Sequence, residues 1–133
     1  MVIITAVLSE IEITEGDGNI SFCAEINNIS PFGGLETDVT VMVNASGIDG
    51  ITESGEDFTL DSTLLIFPKS TTINGDRKCV NVIIVDDQEL EGDNQMFEIY
   101  LVSDSVTPMD NVEIGENNVT VVTIADDTFD GKI

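Results

Sequence analysis

Apolar and polar residues alternate along most of this chain in short runs. Ile20, Phe22, Ala24 and Ile26 alternate with Ser21, Cys23 and Glu25, and Phe97, Ile99 and Leu101 repeat the pattern further on. A period of two puts one set of side chains on a buried face and the other in water, as in a β-strand with one wet side. Strands are predicted at Val2 to Leu8 (continuing through Ile11 to Thr14), Asn19 to Ile26, Val39 to Asn44, Thr63 to Phe67, Cys79 to Val85, Met96 to Val102 and Asn118 to Ala125. These windows are rich in β-branched residues and are broken at short intervals by Gly, Asn, Asp and Pro, which argues against helix. The pattern predicts an all-β, antiparallel β-sandwich.

Strand direction gives the pattern a further consequence. If successive strands run antiparallel, alternate ends fall at opposite poles of the sandwich. The first strand then finishes beside Glu15-Gly16-Asp17-Gly18, and the third and fourth are joined there by the segment carrying Glu53, Glu56 and Asp57. The fifth ends there at Asp86-Asp87, with Glu89, Glu91 and Asp93 before the sixth, and the last ends at Asp126-Asp127. Four acidic patches, remote in sequence, are expected at one pole. The other pole receives Asn27 to Asp38, Lys69 to Lys78 and Ser103 to Asn117, which are poorer in acid.

Composition sharpens this picture. The 133 residues, 41% hydrophobic and 23% charged, suit one folded domain rather than a disordered chain. Met1 to Leu8 is apolar but short and has no basic flank, so it is read as the first strand and not as a leader. No apolar run approaches the roughly 20 residues that span a bilayer. With Lys+Arg 4 against Asp+Glu 26, the net charge of -22 repels nucleic acid and anionic lipid. The absence of histidine excludes Ser-His-Asp and Cys-His catalysis and His-ligated zinc.

Carboxylates gathered at one end repel one another, and a divalent cation reverses the sign of that term. Two strand-like runs end alike, Val82-Ile83-Ile84-Val85-Asp86-Asp87 and Val122-Thr123-Ile124-Ala125-Asp126-Asp127. Calcium fits this donor chemistry, since it takes about 6–8 oxygen ligands from carboxylates and carbonyls. The plainer alternative is that Asp, Glu and Gly form good turns and the acids are solvated. Asp86-Asp87-Gln88-Glu89-Leu90-Glu91-Gly92 lacks the regular oxygen spacing and central Gly of an EF-hand, so the site would be assembled from several loops.

In order and spacing these segments resemble the Calx-β domain over nearly the whole chain. The resemblance rests on Glu15-Gly16-Asp17-Gly18, Gly55-Glu56-Asp57-Phe58, Leu64-Leu65-Ile66-Phe67 and Val82 to Asp87. It continues with Glu91-Gly92-Asp93 leading to Phe97, and Ile124-Ala125-Asp126-Asp127. It implies a seven-stranded immunoglobulin-like sandwich with Ca2+ in loops at one pole. The implied ligands are Glu15, Asp57, Asp86, Asp87, Glu91, Asp126 and Asp127, with a backbone carbonyl near Glu89. There are departures: a further family Glu is here Asn94, a third Asp after the last pair is Thr128, and the segment before Phe97 is one residue longer.

In sandwiches of this kind the strands holding Cys23 and Cys79 are neighbours, and both cysteines fall on the wet phase of their strands. A cross-strand disulfide is expected, the alternative being two free thiols. The triplets Asn19-Ile20-Ser21, Asn44-Ala45-Ser46 and Asn118-Val119-Thr120 are candidate N-glycosylation sites, and Asn28-Ile29-Ser30 is followed by Pro31. Disulfide and sequons together favour an extracellular setting.

Residues 1–133 are thus expected to be one calcium-binding structural module of an extracellular adhesion or matrix protein, one unit of a tandem array. Its expected partners are neighbouring domains of the same protein, or homophilic or matrix-protein contacts, with no membrane insertion. The alternatives are an intracellular calcium sensor, as in sodium–calcium exchangers, and an ion-free spacer of the same fold. A glycosidase built on two carboxylates is disfavoured, because aromatic content of 5% with no Trp leaves few platforms for sugar.

Overall fold

A computed structural model describes residues 2–14, 18–29, 35, 37–47, 58–84, 95–102, 105–108 and 112–125. The strands are β1 (Val2–Ala6), β2 (Glu10–Thr14), β3 (Asn19–Asn27), β4 (Val39–Gly47), β5 (Phe58–Leu60), β6 (Leu64–Phe67), β7 (Asp76–Ile84), β8 (Gln95–Leu101), β9 (Val112–Ile114) and β10 (Val119–Ala125). They form two five-stranded sheets, ordered β5-β7-β3-β1-β9 and β2-β10-β8-β4-β6. Among the described residues no helix is long and apolar enough to cross a membrane.

The ten segments line up as seven strands, because three strands change sheets partway and continue in the same direction. β1 passes into β2 through residues 7–9, β5 into β6 through 61–63, and β9 into β10 through 115–118. Two of these changes correct the sequence expectation. The fourth strand begins at Phe58, ahead of the expected Thr63, and the last begins at Val112, ahead of Asn118. Both first halves have only three residues, too few for a period of two to register. The fifth strand also begins earlier, at Asp76.

Local chemistry suits two of these changes of sheet. At the β5–β6 break the Ser62 hydroxyl accepts a hydrogen bond from the Leu64 N–H, the kind of local bond that competes with a ladder. At the β9–β10 break Gly115 lies against β1. A Cβ there would sit 2.6 Å from Thr5 Cγ2 and 3.1 Å from Ile3 Cγ2, so only glycine allows the approach. The first and last strands then cross side by side. β1 pairs in parallel with β9, and β2 in parallel with β10. At the crossing, Ala6 N–H donates to Asn117 O, Asn117 Nδ2 donates to Ala6 O, and Val121 N–H donates to Ser9 O. The buried Thr120 hydroxyl donates to Leu8 O. These bonds occupy backbone groups that the broken ladders leave over. The switching strands lie along both sides of the sandwich, where exposed sheet edges would otherwise invite pairing with another chain.

Between the sheets lies one apolar core. Phe22, Phe58, Phe67, Phe97, Ile4, Ile26, Ile99, Ile124, Val41, Val43 and Val82 are its largest fully buried side chains. Each contributes roughly 1.5–3 kcal/mol relative to exposure. The inward positions are those that the alternating pattern assigned, with Ile20 only partly buried.

β3 and β7 pair antiparallel, with Cys23 opposite Cys79. The two cysteines form the expected disulfide, with Cα atoms 4.1 Å apart. It lies on the outer face of the first sheet, since Phe22, Ala24 and Val80 on either side point inward.

Candidate metal-binding pole

Strand directions decide which chain ends meet. In the first sheet, Phe58 at the start of β5 pairs with Ile84 at the end of β7, and Asn19 at the start of β3 pairs with Ile83. In the second, Thr14 at the end of β2 pairs with Ala125 at the end of β10, and Ile124 pairs with Gln95 at the start of β8. Gly47, the last residue of β4, pairs with Phe97. All seven strands therefore begin or end at one pole, in the alternation expected from short antiparallel connections.

The two sheets are tied together close to that pole. The buried rings of Phe58 and Phe97 stack across the core, with centroids 3.9 Å apart and planes inclined by 7°. Burial of each ring contributes roughly 1.5–3 kcal/mol relative to exposure. The pairing was not foreseen in the sequence. The available signal was that Phe58 follows Gly55-Glu56-Asp57 and Phe97 follows Glu91-Gly92-Asp93, so each ring anchors the strand that leaves an acidic segment. Gly18, with φ of 93°, turns the chain into β3 at the same end, a conformation that favours glycine.

The residues next in sequence to these strand ends carry the acids. Thr14 is followed by Glu15, Phe58 is preceded by Asp57, Ile84 leads through Val85 to Asp86 and Asp87, and Ala125 is followed by Asp126 and Asp127. Glu89 and Glu91 lie between β7 and β8. All eight candidate ligands, Glu15, Asp57, Asp86, Asp87, Glu89, Glu91, Asp126 and Asp127, lie outside the described residues. Among the described residues no three His, Cys, Asp or Glu side chains form a metal-binding group.

The sequon asparagines Asn19, Asn28, Asn44 and Asn118 are all described. Asn19 and Asn44 are exposed, while Asn118 is half-buried and its Nδ2 donates to Gly115 O at 3.3 Å.

The chain is thus an immunoglobulin-like β-sandwich with the strand ends that adjoin its acidic segments in sequence at one pole. It belongs to the Calx-beta family, whose domain model matches residues 2–128. Calx-beta is a family of binding and regulatory domains rather than of enzymes. The fold resembles that of an apo-form Calx CBD1 domain at 21% identity, with a TM-score of 0.73 over 95% of this chain and 97% of that one. It also resembles the calcium binding domain CBD12 of CALX1.1, at 20% identity and a TM-score of 0.70 over 94% of this chain. This chain spans 44% of that longer one. The periplasmic chaperone SfaE shares the fold at 9% identity and a TM-score of 0.63, over 93% of this chain and 58% of that one. No curated protein sequence matches the chain.

Proposed function

We propose that this domain is a calcium-binding structural module of an extracellular adhesion or matrix protein, in which Ca2+ at the acidic pole stiffens the domain and its junction with a neighbour. One observation carries the reading: the strand ends that lead into Glu15, Asp57, Asp86, Asp87, Glu91, Asp126 and Asp127 all lie at one pole. The donors are hard oxygens, as calcium requires, and the chain has only four Lys and Arg against 26 Asp and Glu. When bound, the ion would offset the mutual repulsion of these carboxylates, which favours the folded state. The Cys23–Cys79 disulfide supports an oxidising, extracellular setting. The calcium binding named for the CBD12 neighbour supports the choice of ion.

The neighbours named as Calx domains favour a second reading, an intracellular calcium sensor. Affinity separates the two, since sensors respond near about 10⁻⁷–10⁻⁵ M and extracellular modules near about 10⁻⁴–10⁻³ M.

Thermal melting in calcium, in magnesium and in chelator tests the proposal. At a calcium concentration one hundred times Kd the stabilisation is about 2.7 kcal/mol, a rise in Tm on the order of 10 °C. Asp87→Asn should remove most of that rise. Identical curves in all three conditions would leave the ion-free spacer as the better description.

A further inference from the structure

The outer face of the second sheet carries an apolar strip beside a sequon. Met42 on β4 stands directly opposite Leu64 on β6, and Ile66 lies two residues further along β6, opposite Thr40. These three side chains are 46%, 45% and 46% exposed, although each neighbours a buried residue of the same strand. Their exposure therefore follows from strand phase and not from a loop or a frayed end. Asn44 is two positions along β4 from Met42, so its side chain leaves the same face about 7 Å away. Tyr100 of β8 is directly opposite Asn44 on the other side.

The four sequons, equivalent as triplets, differ in their surroundings. In Asn44-Ala45-Ser46 both Asn44 and Ser46 are exposed on the outer face, while Ala45 between them is buried. Asn44 Oδ1 accepts the Ala45 N–H at 2.8 Å, which orients the amide through its oxygen. The nitrogen that would carry a sugar takes no part in that bond. Asn118-Val119-Thr120 is the reverse case: Asn118 Nδ2 donates to Gly115 O, and the Thr120 hydroxyl is buried on Leu8 O. That triplet lies at the strand crossing, where Gly115 has no room even for a Cβ. Asn19 is exposed at the acidic pole, away from the apolar strip. Asn28, exposed and in the left-handed region with φ of 65°, precedes Pro31.

We propose that Asn44 carries an N-linked oligosaccharide whose first sugars lie over the strip of Met42, Leu64 and Ile66. Each pyranose ring has an apolar face of C–H groups, and Tyr100 and Met42 offer that face an aromatic and a thioether surface within one sugar's reach. The linkage forms between Asn44 Nδ2 and the anomeric carbon of the sugar, which leaves its lipid diphosphate carrier as the amide gives up a proton. The glycan occupies a surface that would otherwise expose contiguous apolar area to other chains. The proposal rests on the extracellular reading, because only a chain in the secretory route meets the transferase.

The test is secretion of the full chain from cultured animal cells, with site occupancy read by mass spectrometry after enzymatic deglycosylation. Hydrogen peroxide then oxidises the methionines of the wild-type protein and of Ser46→Ala, with Met96 as the internal reference. Asn44 should be occupied and Asn118 empty, and Met42 should oxidise several-fold more slowly in the wild type than in Ser46→Ala. An unmodified Asn44 in a secreted, cooperatively melting protein would overturn the proposal. So would an occupied Asn44 with equal Met42 oxidation in both proteins, since the sugars would then not cover the strip. The host supplies the secretory route, so either failure counts against the site alone. Failure of the extracellular reading would appear separately, as reduced Cys23 and Cys79 in protein from its natural source.

Discussion

The outer faces of the two sheets are made from the same alternation and are held by different chemistry. On the first, three successive opposed pairs of β3 and β7 are bonded through their side chains. Ser21 donates a long hydrogen bond of 3.4 Å to Asn81, Cys23 is joined to Cys79, and Arg77 donates to Glu25 at 3.3 Å. Asn81 reaches one strand further: its backbone N–H and its Nδ2 donate to the two carboxylate oxygens of Asp61, at 2.9 and 3.2 Å. The Glu25 carboxyl is held below its usual range by the hydrogen bond from Asn27, against the opposing effect of burial, with Arg77 assisting. On the second face, Met42 and Leu64 meet as two exposed apolar side chains, and Asn44 stands opposite Tyr100. One face carries its own cross-links, and the other offers surface. Exposed apolar pairs gain little for the isolated fold, which is why that strip calls for a cover.

Removing the cross-link gives the largest expected change. Cys23→Ala with Cys79→Ala frees a loop with a sequence separation of 56, worth about 4 kcal/mol in the chain-entropy account, and should lower Tm by on the order of 10 °C or more. Differential scanning calorimetry reads this directly, and a shift of only a degree or two would mean that the first face is no stiffer than the second. Asp61→Ala should have a smaller effect, about 1–2 kcal/mol, because it removes both acceptors of Asn81 at a partly solvated position. A lower urea midpoint at unchanged m-value would bear this out. Least affected should be Leu64→Thr with Ile66→Thr, at about 0.5 kcal/mol or less per site in the unglycosylated protein, since Thr has high strand propensity and little buried area is lost. A loss comparable to that of the disulfide would erase the contrast between the faces.

How much could be read from the chain differs residue by residue. The long strands were legible because Phe22, Ala24 and Ile26, or Phe97, Ile99 and Leu101, repeat inward often enough for a period of two to emerge. β5 and β9 were not, because three residues cannot establish a period, and what makes them strands is the partner each one meets: Phe58 opposite Ile84, and Val112 opposite Val2. The meeting of Cys23 with Cys79 was legible only through a resemblance that placed their strands side by side. Equal triplets gave no means of separating Asn44 from Asn118, since the burial of Thr120 depends on Leu8, which is 112 positions away.

Local order in this protein was therefore written in the chain itself: the phase of the longer strands and the carboxylates that follow or precede them in sequence. These depend on φ and ψ preferences and on side-chain polarity, which act over a few residues. Only the tertiary structure decided that three strands would change sheets, that Phe58 would stack on Phe97, and which exposed asparagine stands beside an apolar strip. Such outcomes are set by contacts between segments far apart in sequence, and no local pattern carries the information about which distant partner will fill a given space.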